Sequence, residues 1–187
     1  MVQDIEKILF SESDLDEIVA EVASEITERY KEKILVDKDK LVILGVLNGS
    51  FQFVSDLVKK IDLPLQIEFM FASSYGKSTE SSGEVNISVG KNPEVLDDPN
   101  AHIIVVEDIV DSGNTLSKLM AVLSQRGNKS VALCALFDKP ERRTVEVQVD
   151  FVGARVPDEF IVGYGLDYDE KYRNMPFVGV LKREIYE

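Results

Sequence analysis

From Ser13 to about Lys33 the apolar residues Leu15, Ile18, Val19, Val22, Ile26 and Tyr30 recur three or four positions apart. That spacing predicts an amphipathic helix, with Ser13 as its N-cap and Asp14, Asp16 and Glu17 in a first turn where the macrodipole favours acids. A different pattern follows. Leu41–Leu47 is apolar without interruption and stops at Asn48-Gly49-Ser50, as a strand covered on both faces does. Phe51–Ile61 returns to helical spacing, Leu65–Ala72 predicts a strand, and Val85–Val89 alternates like a half-exposed one. Ser73–Gly83, rich in serine and glycine, reads as a flexible loop, and Asn92–Asn100 as a turn region. His102–Val110 is the clearest strand pattern. Asp111-Ser112-Gly113-Asn114 turns from it into a helix over Thr115–Arg126, closed by Gly127. Ser130–Phe137 is again a strand, and beyond Asp138 short strands are expected near Val149–Val152, Phe160–Tyr164 and Phe177–Leu181. Strands alternating with helices predict an α/β fold, a central mainly parallel sheet flanked by helices. The length of 187 residues suits a single domain.

Charge narrows the partners. With 21 Lys+Arg against 34 Asp+Glu the formal charge is −13. That balance argues against nucleic acid and against an anionic membrane surface, both of which are held by basic residues. It leaves room for a small phosphorylated substrate, because a local site or a bound cation overrides the global field. No apolar stretch approaches the roughly 20 residues of a membrane-spanning helix, and the first residues lack the basic and apolar regions of a secretion signal. The single cysteine, Cys134, lies in an apolar run and is expected to be a buried, inert thiol in a reducing, cytoplasmic setting.

The chemistry concentrates in Ile103–Leu116. An apolar strand runs into Glu107 and Asp108, then Asp111, then a turn of small residues that opens a helix. In open α/β sheets ligands bind beyond the carboxyl ends of the strands, and a helix N-terminus offers free N–H groups to a phosphate. Gly113 permits close backbone approach, and Ser112 and Thr115 add hydroxyls. Glu107 and Asp108 could accept hydrogen bonds from a vicinal diol such as ribose, and Asp111 could accept or donate a proton. The same residues would also serve as a plain helix cap with solvated carboxylates. Neither G-x-x-x-x-G-K-[ST] nor G-x-G-x-x-G occurs. With one histidine, His102, and one cysteine, a zinc site or a Cys–His dyad has too few ligands, and His102 opening a strand reads as structural.

Val105–Thr115 resembles the phosphoribosyl-diphosphate (PRPP) motif of type I phosphoribosyltransferases. Leu47–Phe51, Ser73–Gly76, Phe137–Arg143 and Pro157–Tyr168 narrow the resemblance to the hypoxanthine-guanine phosphoribosyltransferases of bacterial type, in order over nearly the whole chain. The resemblance implies the type I phosphoribosyltransferase fold, with a core over about 13–137, a small hood over the active site drawn mainly from 138–175, and a flexible lid at 73–84 that begins at Ser74 and Tyr75. It implies purine salvage, in which hypoxanthine or guanine and PRPP become IMP or GMP and pyrophosphate with Mg²⁺ as cofactor. Glu107 and Asp108 would bind the ribose hydroxyls directly or through the metal, Asp111 would be the general acid/base, and Asp111-Ser112-Gly113-Asn114-Thr115 would cradle the 5′-phosphate. Lys139 would contact O6 of the base, Phe160 would stack on it, and the Ile161 backbone would meet its edge. Asp167 would border the base and hold a second Mg²⁺, Arg173 would contact pyrophosphate, and Leu47-Asn48-Gly49 would form the pyrophosphate loop after a non-proline cis peptide.

An ammonium donates to the O6 of a 6-oxopurine but has nothing to offer the amino group of adenine. One departure stands out: bacterial members typically carry Lys or Arg where this chain has the neutral Asn48. A regulator reusing this fold would need an added DNA-binding domain or a basic face, and the acidic balance argues against both. A phosphoribosyltransferase for xanthine or a pyrimidine is the other reading, and Lys139 with Phe160 argues against the pyrimidine. The family implies a homodimer or homotetramer. An acidic protein that binds a polyanion is expected to do so through Mg²⁺, so chelation is expected to abolish activity.

Overall fold

The computed structural model describes residues 1–73, 86–90 and 92–187, so the expected lid, with Ser74 and Tyr75, lies almost wholly outside the described residues. In chain order the elements are β1 (Ile5–Phe10), α1 (Glu12–Leu35), β2 (Lys40–Leu47), α2 (Phe51–Lys60), β3 (Gln66–Ser73), β4 (Asn86–Val89), β5 (Ala101–Val110), α3 (Asn114–Ser124), β6 (Ser130–Asp138), β7 (Phe151–Arg155), β8 (Ile161–Val162), β9 (Val178–Leu181) and α4 (Arg183–Tyr186).

The larger sheet runs β4-β3-β2-β5-β6-β7. Five of its strands are parallel, and β4 is an antiparallel edge. The uninterrupted apolar runs of β2 and β5 follow from this placement. Leu41 and Ile43 face α1 and α2, while Val42, Leu44 and Val46 face α3 and the turn Pro93–Asp97. Helices on both faces leave no solvent side on which a polar alternation could survive. The parallel strands end at one edge, where the loops after β2, β5 and β6 gather.

Several boundaries differ from the sequence pattern. The N-cap of α1 is Ser11, because Ser11 and Asp14 form a reciprocal capping box that places Ser13 inside the helix. The cap of α3 at its far end is Gln125, with Gly127 two residues further on at φ 87°. β7 begins at Phe151, later than the expected Val149, and it is the last strand of the large sheet. A separate antiparallel sheet, β1-β9-β8, draws on both ends of the chain. β1 escaped the pattern because two register irregularities, at Ile5/Lys7 and Ile8/Phe10, break its alternation. No helix among the described residues is long and apolar enough to cross a membrane.

Candidate active site

β5 carries the acids to the gathering edge. Glu107 Oε2 is buried without a hydrogen-bond partner among the described residues. Burial, and after it the charge of Asp108, holds the Glu107 carboxyl well above the usual carboxylate range. Burial also pushes Asp108 up to about 6, against the pull of the Ile109 N–H, which donates to Oδ1 at 2.7 Å, and of the Arg173 charge. The loop after β2 closes on this pair. Its Leu47–Asn48 peptide is cis. A Cβ on Gly49 would overlap the Asp108 carboxylate and displace it, and one on Gly165, at φ 101°, would overlap the Gly49 carbonyl, so glycine is obligatory at Gly165.

After β5 the chain turns into α3 through Gly113, which sits at the N-cap with φ 84°. A Cβ there would lie 2.8 Å from the Val145 carbonyl. No side chain caps α3 and its first turn holds no acid, so the N-terminal N–H groups suit an anion. The turn is held from outside: Thr144 and Val145 N–H groups donate to Ser112 O at 3.0 and 3.2 Å, and Asn114 Nδ2 donates to Thr144 Oγ1 at 3.2 Å. A part-buried Arg143–Asp138 ion pair ties the same segment to the end of β6.

Lys139 follows β6 and is buried, with Nζ donating to Glu159 O at 2.9 Å. Burial lowers its pKa, and the Asp111 charge opposes that. An ammonium has three donors, so this bond leaves capacity for a ligand. Asp108, Asp111, Lys139, Phe160, Ile161 and Asp167 all line one cavity of about 240 Å³, with Ile109, Arg142 and Leu166 completing it. Arg173 stands beside it, 2.9 Å from Asp167 Oδ1 and donating to Gly165 O at 2.8 Å.

Thus six of the residues expected from the sequence share one cavity. Glu107, Gly49, Arg173 and the Ser112–Thr115 turn adjoin it without lining it, and Asn48 is exposed. Among the described residues no group of three or more His, Cys, Asp or Glu is close enough to hold a metal ion by itself. Sequence reasoning missed Arg142, whose Nε lies 3.5 Å from Asp111 Oδ1 and 3.7 Å from Asp158 Oδ1. The only signal for it was a pair of arginines just past a buried strand. Ile109 and Leu166 lie inside the segments Val105–Thr115 and Pro157–Tyr168 but carried no signal of their own apart from apolarity.

This architecture of buried acids, glycine turn and adjoining cavity has relatives. A family model for the phosphoribosyl transferase domain matches residues 11–169. The chain is 45% identical over 187 residues to the hypoxanthine-guanine phosphoribosyltransferase of Bacillus subtilis (strain 168), with 100% of this chain and 99% of that protein covered. A crystal structure of a hypoxanthine phosphoribosyltransferase from Staphylococcus aureus superposes with a TM-score of 0.87 at 41% identity, covering 100% of this chain and 97% of that one. The bifunctional protein TilS/HprT of Listeria monocytogenes serotype 4b (strain F2365) is 47% identical over 186 residues; all of this chain is covered, and it spans 27% of that protein's length. The chain belongs to the phosphoribosyltransferase family, in its hypoxanthine-guanine branch.

Proposed function

We propose that the chain transfers the 5-phosphoribosyl group of PRPP to hypoxanthine or guanine, giving IMP or GMP and pyrophosphate, with Asp111 as general acid/base. The observation that carries this is the single cavity where Asp111 meets Lys139 and Phe160. The base lies against Phe160, its O6 accepts from Lys139, and the Ile161 backbone and Asp167 border its edge. Asp111 holds or takes the proton at N7 as N9 attacks C1′. Glu107 and Asp108 accept from the ribose hydroxyls, the Ser112–Thr115 turn binds the 5′-phosphate, and Gly49, the Asn48 backbone and Arg173 face the leaving pyrophosphate. Arg173 supplies the cationic charge that Asn48 lacks. The separate β1-β9-β8 sheet, with the loops around it, acts as the hood. Exclusion of water from the developing ribosyl cation falls to the lid that begins at Ser74 and Tyr75.

Mg²⁺ fits this donor set. The unpartnered Glu107 Oε2 beside Asp108 is the kind of buried oxygen a cation satisfies. Two carboxylates are also what Mg²⁺ uses when substrate oxygens and water complete its shell. Glu107 and Asp108 would hold one ion and Asp167 a second, and bound Mg²⁺ neutralises pyrophosphate charge. A cytoplasmic homodimer or homotetramer completes the reading, and the buried, unpaired Cys134 supports the reducing compartment.

Pyrophosphate release from PRPP, with each nucleobase in turn, tests the proposal. Turnover is expected with hypoxanthine or guanine, none with adenine, and EDTA is expected to stop it until Mg²⁺ is restored. No turnover with either 6-oxopurine overturns the assignment.

A further inference from the structure

Phe160 stands just before the two-residue β8, on a segment with little regular structure of its own. Its backbone is fixed by Leu181 N–H donating to Phe160 O at 2.8 Å. That bond does not set the direction of the ring. Aromatic neighbours do. Tyr186 stacks on Phe160 with ring centroids 4.8 Å apart and planes 24° apart. Tyr168 meets it edge-on at 5.5 Å and 90°, and Tyr168 and Tyr186 themselves approach to 6.5 Å at 65°. Both geometries are favoured by the ring quadrupoles.

Two cavities share Phe160. One, of about 240 Å³, holds Lys139 and Asp111. The other, of about 590 Å³, is lined by Tyr186 with Glu159, Lys182 and Arg183. Tyr186 lines only the second, so its ring covers the side of Phe160 turned away from Lys139. The side left open is the one that faces the base. α4, which carries Tyr186, is anchored by packing of Ile185 and Tyr186 against Val162, Tyr172, Met175 and Leu181.

We infer that Tyr186 is a positioning residue for the purine: by stacking behind Phe160 it holds that ring as a fixed wall for the incoming base. The inference rests on the proposed stacking of the base on Phe160. A ring held from behind binds the base without first losing its own freedom to turn, and this is where an aromatic wall gains affinity. The contact is present before and after the chemistry. It therefore acts on base binding, and neither on the PRPP side nor on turnover at saturation.

Steady-state kinetics of the intact chain test this. Tyr186→Ala is expected to raise KM for hypoxanthine roughly 3- to 10-fold, the range that the strength of one aromatic pair sets. KM for PRPP and kcat stay within about twofold, and Tyr186→Phe restores the base KM. Tyr186→Leu, which keeps apolar bulk without a ring, carries the test if the alanine variant does not fold. Phe160→Ala in parallel separates the two readings. If it leaves the base KM unchanged, stacking on Phe160 falls and this inference with it. If Phe160→Ala raises the base KM while Tyr186→Ala and Tyr186→Leu do not, only the inference is overturned. Equal rises in both substrates' KM, or a changed oligomeric state by size exclusion, also overturn it, because a loosened fold or assembly would then be the cause.

Discussion

The two edges of the large sheet hold the same kinds of residue and treat them oppositely. At the edge where the parallel strands begin, Asp39 accepts from Lys129 Nζ at 2.7 and 2.8 Å. His102 lies between Asp39 Oδ2 at 3.2 Å and Ser130 Oγ at 2.7 Å. Lys129 foremost, with His102, holds the Asp39 carboxyl below its usual range. At the edge where the strands end, Glu107 Oε2 is buried without a hydrogen-bond partner among the described residues, and Asp111 Oδ1 has only the Arg142 Nε at 3.5 Å beside it. There the carboxyls of Glu107 and Asp108 are driven upward. Acids that complement their neighbours stabilise a fold, whereas acids left short of partners await a ligand. The difference marks the acids at the strand ends as the candidate site without reference to any relative.

The largest expected effect breaks the comparison most directly. Asp111→Asn is expected to lower kcat roughly 10²- to 10⁴-fold, the usual worth of a general acid/base, with the thermal midpoint nearly unchanged. Unaltered kcat in a steady-state assay would remove Asp111 from the chemistry. His102→Ala should do the reverse. It strips partners from Asp39 and Ser130, and denaturant unfolding is expected to show a loss of about 1–3 kcal/mol with kcat intact. A fall in kcat at full saturation would mean that the starting edge is coupled to the site.

The remaining effects, no larger than that of His102→Ala, are in pH, and their signs differ between the edges. Asp108 titrates near 6 in the fold and near about 3.9 unfolded. Its stabilisation is thus present below about pH 3.9 and lost as pH rises through about 6, an amount of about 1–3 kcal/mol. His102 is shifted downward by burial, against Asp39 and with Lys33 and Lys129 adding to the shift. Its contribution is present above about pH 6.5 and lost as pH falls through the lower folded value. Thermal unfolding of the substrate-free chain against Asp108→Asn and His102→Asn, from pH 4 to 8, should give difference curves of opposite slope. Parallel curves would erase the distinction.

The parts of the molecule legible in the sequence are those where one local rule decides. The strands β2, β5 and β6 were readable because burial on both faces leaves no polar positions, and the acid-rich turn after β5 because strand, acids and small residues are contiguous. β1 was not readable, since its bulges hide the alternation and its partner β9 lies at the far end of the chain. Arg142 and Tyr186 were missed for a related reason. A pair of arginines after a strand does not say which one will stand near Asp111, and nothing local marks a tyrosine that will stack behind Phe160. Ser11 and Ser13 both lie at the start of α1, and only the reciprocal Asp14–Ser11 bonds make Ser11 the cap.

The contact between Gly49, Asp108 and Gly165 has a consequence for how such an enzyme can change. On the side proposed for the base, the cavity is walled by side chains: Lys139, Arg142, Phe160 and Leu166. Point substitution can reshape that wall one residue at a time. On the side proposed for the leaving group, Gly165 is pressed against the Gly49 carbonyl and Gly49 against the Asp108 carboxylate, so a methyl added at either glycine would collide. Under the proposed assignment, preference for the nucleobase is therefore open to gradual drift, while the choice of leaving group is closed to it.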